Sequence, residues 1–140
     1  MSILRKIYSL DTRSAELFAS ALAITFGGWL LAPWGTYGTS STFKYLSVWG
    51  PEWMFGLTML LTGAIQYSGI IFSLIPDKRH WIFRIVGSEL GVMVWCVLAI
   101  SFWLSNPFST APIIYTIVVL VCIAVSIKLS IESGKVGHIR

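Results

Sequence analysis

A chain of 140 residues with 10 Lys or Arg, 6 Asp or Glu and 56% hydrophobic side chains has less than half the charged fraction of an ordinary soluble domain. So few charges cannot cover a globule of this size with a wetted surface, and the mean hydropathy of +0.78 argues against disorder. Two cysteines do not make a disulfide-stapled secreted module, and the net charge of +4 is too scattered along the chain for nucleic acid.

The first apolar run covers 15–34, and ~20 residues of helix suffice to cross the hydrocarbon of a bilayer. Asp11 and Thr12 suit its N-cap, and Glu16 falls in its opening turns, where the helix dipole favours a carboxylate. The run is too long for a signal-peptide core, and Leu30-Leu31-Ala32-Pro33 offers no small-x-small cleavage pattern, so it is expected to stay as an anchor. The connection 35–52 carries Phe43, Tyr45, Leu46 and Trp49 and is expected to lie on the membrane. It reads either as a covering loop or as a short interfacial helix from Ser41 through Trp49. A second run, 53–75, follows Pro51 and Glu52, which suit a first helical turn. The third, 81–104, comes after a five-residue turn, so those two helices are antiparallel neighbours. A turn at 105–110 leads to the fourth run, 111–129, with Thr110 as cap and Pro112 in the first turn. None of the runs alternates with the period of a barrel strand. The fold class is therefore all-α: a single domain, 1–140, of four transmembrane helices in an antiparallel bundle.

Nine of the ten basic residues fall on one side of this layout. Arg5, Lys6 and Arg13 precede the first helix; Lys78, Arg79 and Arg84 surround the second turn; Lys128, Lys135 and Arg140 end the chain. Only Lys44 lies opposite. The positive-inside rule then places both termini in the cytoplasm.

Helices associate in lipid through small residues that let backbones approach. Ala15, Ala19, Ala23 and Gly27 form such a stripe on the first helix, and Gly87 and Gly91 form another on the third. Each marks a contact, either inside one bundle or between subunits. Polar groups at membrane depth are few. At ~1.5 Å per residue, Glu89 lies ~12 Å inward from Trp81 and Gln66 ~13.5 Å inward from Ile75. Thr25 reaches a similar level, so Thr25, Gln66 and Glu89 are expected to form one polar layer. Glu16 and Arg84 sit nearer the inner interface and are expected to pair. Glu89 points about 180° from the glycine stripe at 100° per residue. It either fixes helix register through a hydrogen bond or lines a polar path.

The sequence offers no catalytic constellation and no metal-ligand spacing at membrane depth, so neither an enzyme nor a cofactor is expected. Cys96 and Cys122 differ in depth and are not expected to form a disulfide. The chain resembles a group of small four-helix inner-membrane proteins encoded by tailed bacteriophages and prophages. The segments that carry this are Ile7-Tyr8-Ser9-Leu10-Asp11-Thr12-Arg13-Ser14-Ala15-Glu16, Pro51-Glu52-Trp53 and Asn106-Pro107-Phe108-Ser109-Thr110-Ala111. The resemblance implies a setting, the bacterial inner membrane, and no catalytic residues. Two functions follow as expectations. One is a self-associating, permeabilising or ion-conducting protein of the holin kind, acting as a homo-oligomer in the lipid bilayer. The other is a non-conducting protein that binds another membrane or phage component, in superinfection exclusion or assembly.

Overall fold

The computed structural model describes residues 12–75 and 80–137. Four long helices dominate it: α1 (Thr12–Leu31), α3 (Glu52–Phe72), α4 (His80–Ser105) and α5 (Ala111–Gly137). A four-residue helix, α2 (Thr36–Thr39), and two 3-10 turns, Ser41–Phe43 and Leu46–Val48, lie between α1 and α3. No strand occurs among the described residues. All four long helices are long and apolar enough to cross a membrane. The protein is an integral, multi-pass membrane protein whose exposed leucine, isoleucine and aromatic side chains meet lipid.

The helices pack in chain order, and glycines set the contacts. A Cβ on Gly27 would come within 2.7 Å of both the Gly56 carbonyl oxygen and the Leu60 nitrogen. One on Gly63 would lie 2.8 Å from the Ser20 oxygen. Residues 27 and 20 of α1 therefore meet 56 and 63 of α3, which makes the pair antiparallel. Gly69 of α3 lies against Arg84 and Gly87 of α4 against Gln66, with would-be Cβ distances of 2.8 Å at each. On the other side of α4, the Ser88 hydroxyl donates to the Cys122 carbonyl (3.3 Å), and Trp103 Nε1 donates to Thr116 Oγ1 (3.1 Å). α4 thus lies between α3 and α5. The backbone contacts at Gly27, Gly63 and Gly87 are what small residues allow in lipid, where close packing replaces the hydrophobic drive.

The helix ends differ from the hydropathy boundaries for local reasons. α1 stops at Leu31, three residues short of Trp34, because Pro33 disfavours helical geometry at Ala32. The Trp29 carbonyl then accepts from both the Ala32 nitrogen (3.2 Å) and the Trp34 indole (3.1 Å), which closes the helix end. Gly35, at φ 59°, turns the chain as only glycine does readily. α3 gives way at Ser73 to tighter turns, Leu74 N to Ile71 O (3.0 Å) and Ile75 N to Phe72 O (3.1 Å), ahead of Pro76. α5 continues to Gly137, eight residues past Leu129, through a polar segment that holds no proline, and a Lys128–Glu132 pair (3.9 Å) spans one of its turns. The proposed cap Asp11 lies outside the described residues.

The 35–51 connection is neither a single interfacial helix nor a loose cover. Leu46 is fully buried, and the Phe43 ring stands against Phe102 (5.2 Å between centroids) and Phe26 (6.2 Å). Glu52 pins the segment: its carboxylate accepts from the backbone nitrogens of Thr36 (2.8 Å) and Tyr37 (3.3 Å). Below it, Phe26, Trp95, Tyr115 and Phe102 close the bundle at ring distances of 4.8–6.2 Å. This is the loop end of the bundle. The opposite end, near Thr12, His80 and Lys128, is the basic end.

Candidate functional site

Two polar assemblies interrupt the apolar packing. The first lies toward the basic end. Thr12 and Glu16, one turn apart, share a face of α1 and meet Arg84 of α4. Arg84 Nη2 donates to Glu16 Oε1 (2.5 Å) and Thr12 Oγ1 (3.0 Å), and Nε donates to Glu16 Oε2 (2.9 Å). This two-pronged geometry matches a planar guanidinium to a carboxylate. The side chains are 5% and 0% exposed, so the Glu16 carboxylate is cut off from both water and lipid, and Arg84 shows only its edge. Gly69 makes the space, since a Cβ there would lie 2.8 Å from Arg84 Cγ, and the Trp81 ring covers the guanidinium at 5.3 Å. Both charges are satisfied internally, which suits a device that fixes how α1 meets α4 rather than one that binds a substrate.

The second assembly lies deeper. Glu89 is ~14 Å along α4 from His80, near mid-membrane. It is exposed on the outside of the bundle, and its Oε1 accepts from the hydroxyl of Ser126 on α5. The layer of Thr25, Gln66 and Glu89 expected from depth does not assemble. Gln66 is buried at the α3–α4 contact beneath Gly87, whereas Thr25 is exposed on α1. Equal depth places residues in one plane but not on facing sides.

Around Glu89, the outward side of α4 carries Ile82, Val86, Met93, Cys96 and Ile100, at alternating steps of four and three residues. Ile82 and Met93 are 63% and 64% exposed. That spacing is the seam pattern of helices that pack side by side, and Glu89 occupies its centre. The two glycines of α4 diverge: Gly87 touches the α3 backbone, whereas a Cβ on Gly91 would meet only Cys122 Sγ at 3.7 Å. Both contacts lie inside one bundle. Ala19, Ala23 and Gly27 are buried and Ala15 is partly so. The reading from sequence passed over Ser126, and also Gly56, Gly63 and Gly69, although small residues at six- and seven-residue steps could have identified that face of α3.

Cys96 and Cys122 are free thiols. No group of three or more His, Cys, Asp or Glu able to hold a metal ion occurs among the described residues. Compared with models of known families, with curated proteins and with solved structures, the chain matches none. Fold and site together define an all-helical, four-span membrane protein.

Proposed function

We propose that this is a small phage-type membrane protein of the holin kind, which self-associates through the Glu89 face of α4 and passes ions between copies. The observation that carries the reading is the exposed carboxylate near mid-membrane. A charge at that depth costs ~3 kcal/mol or more in lipid, and an ionised carboxylate has sites for about four hydrogen bonds, whereas Ser126 supplies one. A second copy set against the Ile82–Ile100 stripe would remove Glu89 from lipid and gather carboxylates around a wet path that attracts cations. The interior of a single bundle leaves little room for such a path, because Gly27, Gly63 and Gly87 hold helices in backbone contact.

The same proposal takes the setting from the motif Ile7 to Glu16, which resembles tailed-phage and prophage proteins, and so places the chain in the bacterial inner membrane. Nine of ten basic residues on one side favour cytoplasmic termini. Expression of the chain alone in a bacterial host tests the proposal. Wild type should arrest growth and collapse the membrane potential, and Glu89→Gln at equal membrane level should do neither. Normal growth and potential with inserted wild type would instead favour a non-conducting protein that offers this face to another membrane or phage component.

A further inference from the structure

At the basic end, α1, α4 and α5 surround a polar cleft of about 320 Å³. Arg13, His80, Lys128 and Glu132 line it together with Trp81 and Arg84. Three permanent cations from three helices meet there; Arg84 is paired with Glu16 and Lys128 with Glu132 (3.9 Å), so three cations face two carboxylates and the cleft keeps a net positive charge. Arg84 Nε and Nη2 are bonded to Glu16 and Thr12, whereas Nη1 takes part in none of those bonds. His80 lies against Trp81, with ring centroids 5.0 Å apart, so an aromatic wall borders the cations.

The depth of the cleft is as informative as its charge. Arg84 lies ~28 Å along α4 from Trp103 of the loop end, and Lys128 ~26 Å along α5 from Ala111. With a hydrocarbon core ~30 Å thick, these positions fall at the headgroup level. Trp81 occupies the level at which tryptophan anchors to the interface. Basic pockets between helices at this depth are suited to phosphate, which Arg and Lys bind through charge-assisted hydrogen bonds.

We propose that this cleft binds the phosphate of an anionic phospholipid headgroup, held by Arg13 and Lys128 beside the Trp81 wall. The site is separate from the Glu89 face, and neither proposal depends on the other. Its volume is at the small end of ligand sites, which suits a headgroup while the acyl chains remain in the bilayer.

Native mass spectrometry of the full chain in detergent, with phosphatidylglycerol or phosphatidylcholine added, tests this. Wild type should prefer phosphatidylglycerol, and Arg13→Gln with Lys128→Gln should reduce that preference by about tenfold or more. Lys44→Gln with Lys135→Gln removes the same charge outside the cleft and should retain the preference. Millimolar inorganic phosphate distinguishes the two sources. Displacement of lipid together with phosphate adducts would assign the site to phosphate from either source; lipid retained without such adducts would assign it to the lipid headgroup. Equal binding of both lipids by wild type, or equal losses in the two double variants, would overturn the proposal. Circular dichroism of each variant shows whether the helices are retained; if the cleft variant alone lost helix, the single Arg13→Gln variant would replace it.

Discussion

Replacing Arg84 by Met while leaving Glu16 in place should be among the most damaging single changes in this protein. Three hydrogen bonds of 2.5–3.0 Å join Arg84 to Glu16 and Thr12, and the Glu16 side chain is 0% exposed. Removing one partner of a buried pair leaves an uncompensated charge and costs ~3–5 kcal/mol, whereas replacing both by apolar groups of similar volume is often neutral. The two singles should also differ. Glu16 is short and ~6 Å below Thr12, so its orphaned carboxylate has no reach to water, but an orphaned Arg84 can extend toward the nearby basic end. Arg84→Met should therefore fall at the upper end of that range, Glu16→Leu at the lower, and the double variant within about 1 kcal/mol of wild type. Unfolding by SDS in mixed micelles, followed by circular dichroism, measures all three. Two small losses that simply add in the double variant would refute the reasoning, because they would mean the pair is solvated.

Gly87→Ala forces a methyl against the Gln66 backbone at 2.8 Å and should destabilise by ~1–3 kcal/mol, whereas Gly91→Ala meets only Cys122 Sγ at 3.7 Å and should be nearly neutral in the same assay. The Tyr37 hydroxyl is buried without a hydrogen-bond partner, and burial, reinforced by the Glu52 carboxylate, pushes its pKa up from 10.0 to about 12. Below pH 10 the phenol is neutral whether the loop is docked or released; between 10 and about 12 only the released form ionises, so docking weakens as pH rises and its contribution is lost through about 12. Tyrosinate absorbance of wild type minus Tyr37→Phe should show that late midpoint, and a midpoint at the ordinary value would contradict the docked loop.

The four spans were legible because nothing but length and apolarity is needed to recognise a helix that crosses lipid. Their ends were less so, since Pro33 acts through the residue before it and α5 runs on into a polar segment that periodicity does not distinguish from a tail. Glu16 and Arg84 could be matched because opposite charges at one depth have few other partners. Thr25 shows where depth alone misleads: it stands two residues past Ala23, which turns it away from the buried alanine stripe just as Glu89 turns from Gly87. The partner Ser126 carries no sequence signal of its own, because a serine in an apolar helix normally bonds to its own backbone, as Ser68 does to Ala64 here (2.7 Å).

The central claim is that Glu89 lines a path between copies. Cation flux through liposomes carrying purified wild type, beside liposomes carrying Glu89→Gln at matched insertion, tests it most directly. Wild type should give flux well above protein-free liposomes, and Glu89→Gln should reduce it several-fold while the bundle stays inserted. No wild-type flux above background, or equal flux in both proteins, would contradict a pore-lining role for Glu89.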